Sequence, residues 1–182
     1  MYAHDPELIR ACLKGDQAAW NELVKRYSRL VYSIALNTGL TAADADDIFQ
    51  NVFMIIYRRL ETLRDDKLIV AWIIRITYHE CQHLYKRNPH AKELDENIVD
   101  DNELPQEQVE LWEKRFLVHQ ALDQMDPNCR NLLEMLFFEI PTPSYQTIAS
   151  RLGIPEGSIG PNRARCFKKL ETILAAMGFH FD

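Results

Sequence analysis

The sequence lacks the patterns that would place it in a membrane, in a disulfide-stapled scaffold or among β-rich proteins. No apolar run approaches the roughly 20 residues that span a bilayer, and no basic-then-apolar signal segment opens the chain. The four cysteines are far apart and form no Cys-x-x-Cys pair, which favours buried reduced thiols. Strand-like alternation of apolar and polar residues is absent. We therefore expect a cytoplasmic, all-α protein without membrane insertion.

Positive charge is nearly missing from one stretch of the chain. Residues 88–113 hold Lys92 against nine acidic residues, whereas residues 1–87 and 114–182 each carry a net charge of +1. Because basic surfaces attract the phosphate backbone, two nearly neutral blocks predict weak DNA binding without a partner. This acidic stretch carries charge of one sign and few large apolar residues, a composition that predicts a mobile linker.

Helix-capping signals and the helical period of apolar residues occur on both sides of this stretch. Asp16 is a typical N-cap, and Thr41 with Asp44 three residues later forms a capping box. The acidic stretch opens at Asn88-Pro89, and the residue before proline disfavours the α conformation. The predicted organisation is a pair of small helical domains, residues 1–88 and residues 114–182, joined by an acidic linker over residues 89–113.

The segment YQTIASRLGIPEGSIGPNRARCFKKL predicts a helix-turn-helix. Such a motif needs a small residue where its helices cross, a glycine in the turn and an aliphatic side chain that holds the second helix. Ala149, Gly153 and Ile159 meet these needs at suitable spacing. An ordinary helical hairpin is the alternative interpretation.

The outward face of the second helix begins with small residues, and cations follow them. Arg165 is the best candidate for bidentate hydrogen bonds to guanine, whereas Lys168 and Lys169 suit phosphates or simply a solvated face. Arg163 projects towards the apolar side, where a flanking phosphate or a neighbouring acid is its alternative partner. The candidate DNA-contacting residues here are Ser158, Gly160, Pro161, Asn162, Ala164, Arg165, Lys168 and Lys169.

Residues 79–83, HECQH, match the His-Glu-x-x-His signature of zinc hydrolases. A catalytic zinc also needs a third protein ligand, and the nearest downstream candidates lie in the predicted linker. We therefore expect no enzyme activity, no catalytic residue, no metal site and no cofactor. The minor alternative is a regulatory zinc site formed by His79, Cys81 and His83.

Three segments carry a resemblance to a known family: DADDIFQNVFMIIYRRL at 44–60, AWIIRITYHECQHLYKR at 71–87 and LGIPEGSIGPNRARC at 152–166. In this order they resemble the extracytoplasmic-function (ECF) sigma factors of the sigma-70 family. These are two-domain subunits that direct bacterial RNA polymerase to promoters. The resemblance covers roughly residues 5–87 and 114–175. It implies binding to core RNA polymerase, recognition of the −35 and −10 promoter elements, and help in melting DNA.

The resemblance also implies which residues contact the polymerase. The third helix would dock on the clamp helices of the largest subunit. Independently, apolar residues lie nearly all round this helix, more than one core face needs, and exposed apolar area often marks a partner surface. The residues implied in polymerase binding are Asp44, Asp47, Gln50, Phe53, Met54 and Tyr57.

The −10 element would lie along the break at Glu61–Lys67 and on the following helix. An extruded base needs aromatic or polar pockets, and the single strand needs cations beside it. Histidines stand at two positions where the family usually has Asn and Asp, which predicts either an altered −10 preference or a −10 recognition that is sensitive to pH. The implied residues are Arg75, Tyr78, His79, His83, Lys86 and Arg87.

Two further expectations concern partners. The resemblance implies an anti-sigma protein that clamps both domains and covers the helix from Asp44 to Leu63. The competing hypothesis is a stand-alone helix-turn-helix regulator whose N-terminal half dimerises or senses a ligand. The charge distribution favours the sigma factor, because neither near-neutral block is expected to hold DNA firmly by itself.

Overall fold

The computed structural model describes residues 5–87 and 104–179, and every regular element within these stretches is helical, as predicted. The chain divides into two compact units, Met1–Glu113 and Lys114–Asp182. The helices are α1 (Asp5–Leu13), α2 (Gln17–Asn37), α3 (Ala42–Arg59), α4 (Ile69–Arg87), α5 (Gln106–Asp123), α6 (Pro127–Phe137), α7 (Tyr145–Leu152) and α8 (Ile159–Ala176).

The predicted caps start the helices of the first unit. The Asp16 carboxylate accepts hydrogen bonds from the backbone N–H groups of Ala18 and Ala19, at 2.8 and 3.2 Å. Thr41 and Asp44 bond to each other's backbone N–H and complete the capping box. Such caps satisfy orphan donors of the first turn, and each stabilises its helix by about 1 kcal/mol.

The core of the first unit lies among α1, α2, α3 and α4. The aliphatic side chains that face it recur at helical spacing, and each contributes about 1.5–3 kcal/mol by leaving water. Among the most completely buried are Leu8, Ile9, Leu23, Ile34, Ile48, Ile56, Ile69, Ile73 and Ile74.

Helix α5 begins inside the range predicted as linker. Leu104 and Val109 are buried, with 8% and 0% exposure. Arg75 Nη2 donates a hydrogen bond to Gln106 Oε1 at 2.9 Å. Residues 106–113 are therefore helical and not part of a linker, because two apolar side chains of this acidic stretch are buried. Residues 88–103, with the predicted helix end before Pro89, lie outside the described residues, and the domain limits remain a prediction.

The second unit contains the helix pair predicted as a helix-turn-helix. Ser144 caps α7, and Gly153 ends it in the left-handed conformation with φ of +65°, which glycine adopts without steric cost. A short 3₁₀ turn at Glu156–Ser158 leads into α8. Ala149 and Ile159 are 7% and 0% exposed, as their assigned roles in the helix crossing require.

The expectation of four reduced thiols is wrong for two cysteines. Cys129 on α6 and Cys166 on α8 form a disulfide, with their Cα atoms 5.2 Å apart. Both lie in the core of the second unit, beside Leu132 and Leu170. Cys12 and Cys81 are free and buried, as expected. The pairing results from the packing of α6 on α8, which the wide spacing of the cysteines in the sequence does not reveal.

Candidate nucleic-acid and partner interfaces

Four of the residues assigned to polymerase binding form one exposed stripe on α3. Asp47, Gln50, Met54 and Tyr57 follow the spacing i, i+3, i+7 and i+10, so they share a helix face. Met54 is 50% exposed and Tyr57 is 65% exposed, so both offer apolar area to a partner. We call these four residues the α3 outer face.

Asp44 and Phe53 have other contacts. The Asp44 carboxylate accepts hydrogen bonds from the Thr41 hydroxyl at 2.6 Å and the Thr41 N–H at 3.1 Å. The half-buried Phe53 ring packs 4.7 Å from the Phe49 ring, which in turn stacks on Tyr32 at 5.0 Å. The structure therefore gives Asp44 a role in capping and Phe53 a role in an aromatic cluster.

The residues assigned to the −10 element line an exposed stripe of α4. Arg75, His79, His83 and Lys86 are exposed at intervals of three or four residues, whereas Tyr78 beside them is half-buried. The Nε2 atoms of the histidines are 3.3 Å apart, and their rings form an edge-to-face pair. We call the four exposed residues the α4 face.

Arg87, also assigned to DNA, lies near residues assigned to the polymerase. Asp47, Gln50, Asn51, Leu84 and Arg87 line a pocket of about 420 Å³ between α3 and α4. The two surfaces predicted from the sequence therefore meet at the C-terminal end of α4.

Cys81 takes no part in the histidine pair. Its side chain is 1% exposed, and burial raises the pKa of its thiol to about 11. Across residues 5–87 and 104–179 no group of three or more His, Cys, Asp and Glu side chains is arranged to hold a metal ion. The minor zinc hypothesis that used Cys81 is therefore wrong, and the described residues offer no third ligand for a hydrolase-type zinc.

The predicted reading face of α8 is exposed and hydrogen-bonded internally. Arg165 donates to Asn162 Oδ1, Asn162 Nδ2 donates to Ser158 Oγ at 3.3 Å, and Ser158 Oγ donates to the Pro155 carbonyl at 2.6 Å. Ser158, Gly160 and Asn162 are half-buried, whereas the remaining predicted residues of this face are exposed. These are Pro161, Ala164, Arg165, Lys168 and Lys169.

Lys169 is already paired within the second unit. Its ammonium lies 2.8 Å from Asp126 Oδ2. The hydrogen bond from Lys169, followed by that from the Cys129 N–H, lowers the pKa of Asp126. The Lys169–Asp126 pair lines a groove of about 390 Å³ together with Asn162 and Arg165. A phosphate that recruits Lys169 must therefore compete with Asp126.

Arg163 forms no ion pair with an acid among the described residues of the unit, and its suggested contact with a flanking phosphate stays a prediction. It is exposed, and its Nη1 donates to the Tyr145 hydroxyl at 3.0 Å. Tyr145 opens α7, eighteen residues earlier. The helix-turn-helix brings the two together, and neither a local acid nor a helical wheel could indicate this contact.

The second unit also has an exposed aromatic patch that the sequence interpretation missed. The rings of Phe137 and Phe167 lie 5.2 Å apart and are 55% and 42% exposed. Phe138 is 47% exposed and lies 5.0 Å from the His119 ring. The sequence did contain a signal of this patch, the adjacent Phe137 and Phe138, because two consecutive residues of a helix cannot both face one core.

Comparisons with known proteins agree with these features. The family model Sigma-70 region 2 matches residues 23–90. The RNA polymerase sigma-H factor of Pseudomonas aeruginosa is 26% identical over 185 residues, covering 95% of this chain and 93% of that protein. The ECF RNA polymerase sigma-E factor of Escherichia coli is 27% identical over 181 residues, covering 93% and 92%.

A solved structure, that of CnrH in complex with the cytosolic domain of CnrY, is 21% identical. It covers 94% of this chain and 97% of that one, with a TM-score of 0.43. Within the described residues, no helix is long and apolar enough to cross a bilayer. The chain is therefore similar to the Sigma-70 region 2 family over residues 23–90 and, over nearly its full length, to RNA polymerase sigma factors that include an ECF member.

Proposed function

We propose that this protein is an RNA polymerase sigma factor that binds core polymerase, recognises the −35 and −10 promoter elements and aids DNA melting. The observation that carries the proposal is the α3 outer face, an exposed polar-and-apolar stripe that adjoins a cationic stripe on α4. One stripe suits a protein partner, and the other suits a nucleic acid strand.

The α3 outer face has the composition of a protein-binding surface. Met54 and Tyr57 supply apolar area for the centre of an interface, while Asp47 and Gln50 can pair with polar groups at its rim. The Tyr57 ring also packs 5.1 Å from the Trp20 ring, which holds it in place before a partner binds. A side chain that is already ordered loses less conformational entropy on binding.

The α4 face suits the non-template strand of an opening promoter. Arg75 and Lys86 can neutralise phosphates, and the imidazole rings offer flat surfaces and hydrogen-bonding nitrogens to an unstacked base. Arg75 is held by Gln106 at 2.9 Å, so engaging DNA exchanges one hydrogen bond for a charge-assisted one.

The exposed start of α8 suits the major groove at the −35 element. The small residues Gly160 and Ala164 leave room for close approach, and Arg165 extends from the same face. A guanidinium can bind O6 and N7 of guanine together, which gives sequence selectivity. The exposed Lys168 is placed for a flanking phosphate, which adds affinity without selectivity.

Reconstitution tests the proposed function. Purified protein is mixed with core polymerase and a library of promoter fragments, and the run-off transcripts are sequenced. We expect transcripts from a defined subset of promoters that share spaced −35 and −10 sequences. Tight binding to duplex DNA without polymerase, together with no polymerase association, would instead support the stand-alone regulator.

Arg165→Ala is expected to weaken −35 recognition. Loss of a bidentate guanine contact costs about 1–3 kcal/mol, or roughly 5- to 150-fold in promoter affinity, and relaxes selectivity at one base position. Binding of the reconstituted polymerase to promoter variants measures both effects. Arg151→Ala is the matched control, because Arg151 pairs with Glu139 at 2.8 Å outside α8. Equal losses for the two variants, or an unchanged base preference, would contradict the assignment.

We also propose that the protein acts in the cytoplasm and that an anti-sigma protein covers the α3 outer face to keep it from the polymerase. The support is the exposure of Met54 and Tyr57, which is costly to leave in water. The assignment would be supported by a co-purifying protein that competes with core polymerase for binding and whose own binding Met54→Ala weakens. A partner that leaves polymerase binding unchanged would contradict it.

A further inference from the structure

The histidine pair of α4 has a geometry that base contacts alone do not require. His79 and His83 lie one turn apart, both are exposed, and their Nε2 atoms face each other at 3.3 Å. Two imidazole nitrogens that share one point of approach are the ligands that borderline divalent metal ions prefer in proteins.

The separation of the two nitrogens matches tetrahedral coordination. With metal–nitrogen distances of about 2.0–2.1 Å, nitrogens 3.3 Å apart subtend an angle of about 104–111° at the metal. The angle of a regular tetrahedron falls within this range. The distance between the two nitrogens therefore already suits a shared metal ion in place of their mutual hydrogen bond.

Glu80 is placed to orient one of the rings. Its Oε1 lies 3.9 Å from His79 Nδ1, on the side of the ring opposite to the paired nitrogen. Metal-bound histidines commonly donate their other ring N–H to a carboxylate, which sets the tautomer and raises ligand basicity. The Glu80 side chain is 20% exposed, so its charge is partly shielded from solvent. At 3.9 Å the two atoms are not hydrogen-bonded, so a small side-chain rotation is needed before the glutamate of HECQH can orient the ring.

We propose that His79 and His83 bind one first-row divalent metal ion, of the class of Co²⁺, Ni²⁺, Cu²⁺ or Zn²⁺, with water in the remaining positions. Ions that prefer oxygen ligands, such as Mg²⁺ and Ca²⁺, are excluded by the nitrogen donors. The open positions make this an exchangeable site and not a closed structural one.

Metal binding has a consequence that rests on the proposed function. The metal occupies both Nε2 atoms and holds the rings together, so neither imidazole can bond through Nε2 to an unstacked base and the rings cannot part to admit one. We expect the loaded protein to open promoters less well, whereas its binding to core polymerase through α3 is unchanged.

Cobalt titration of the full-length protein tests the site itself. Tetrahedral Co²⁺ gives visible absorption bands, and we expect one such equivalent that is absent in His79→Ala/His83→Ala. Each single variant should bind about 100-fold more weakly or worse, because the second ligand acts at high effective concentration. Glu80→Gln should weaken binding about tenfold. His119→Ala, which removes a histidine elsewhere, is the control and should bind as the wild type does.

Equal cobalt binding by the wild type and the double variant, or displacement of cobalt by equimolar Mg²⁺, would overturn the site. Circular dichroism confirms that the variants fold. The coupling is tested by permanganate probing of open promoter complexes with and without Co²⁺. Loss of opening in the wild type at a cobalt concentration that Glu80→Gln raises about tenfold supports it, and unchanged opening in the wild type overturns it. If the reconstituted polymerase gives no transcripts even when no metal is added, the result would instead count against the proposed sigma-factor function.

Discussion

Reducing the disulfide between Cys129 and Cys166 is expected to lower the free energy of unfolding of the second unit by about 4 kcal/mol. The bond closes a loop of 37 residues, and opening it returns chain entropy to the unfolded state. The bond joins α6 to α8, so its loss acts directly on the helix that carries the proposed −35 contacts.

Guanidinium unfolding with and without a phosphine reductant measures this effect. All three tryptophans, Trp20, Trp72 and Trp112, lie in the first unit, so fluorescence reports that unit while far-ultraviolet circular dichroism reports both. We expect the reductant to shift the circular dichroism transition and to leave the fluorescence transition in place. Cys129→Ala/Cys166→Ala is the control, and it should not respond to reductant. Superimposable curves for the oxidised and reduced wild type would contradict the prediction.

Removing Met54 or Tyr57 is expected to weaken binding to core polymerase by about 30-fold for each residue. Large side chains at the centre of an interface commonly contribute about 2 kcal/mol or more, and these two are the apolar members of the α3 outer face. Titration of labelled protein with core polymerase, followed by fluorescence anisotropy, gives the dissociation constants of the Met54→Ala and Tyr57→Ala variants.

Leu36→Ala is the matched control for Met54→Ala. Leu36 and Met54 are both 50% exposed, but Leu36 lies on α2. The two changes should alter stability to a similar small extent, and only the change on α3 should alter polymerase binding. Because the Tyr57 ring contacts Trp20, thermal unfolding of Tyr57→Ala must be compared as well. Unchanged polymerase affinity in both α3 variants would remove this surface from the proposal.

Local signals of the sequence were sufficient for the helices and their caps. The roles of Asp16 at α2 and of Thr41 with Asp44 at α3 depend on backbone groups two or three residues away. A pattern within one turn therefore identifies them. The turn glycine Gly153 was predictable for the same reason, because its left-handed conformation depends only on the end of α7.

Features that depend on tertiary packing were not accessible in this way. The disulfide requires two Cα atoms to lie 5.2 Å apart, and only the packing of α6 on α8 brings them there. Arg163 found its partner in Tyr145 for the same reason.

The position of Asp126 has a consequence for how the second unit can evolve. Its carboxylate caps α6 by accepting from the Cys129 N–H at 3.1 Å, and it also holds the Lys169 ammonium. Asp126→Ala would release the Lys169 ammonium for a contact with the DNA backbone. It would also remove the carboxylate that accepts the hydrogen bond at the start of α6. Under the proposed function, tighter DNA binding and a more stable second unit therefore make opposite demands on the Asp126 side chain.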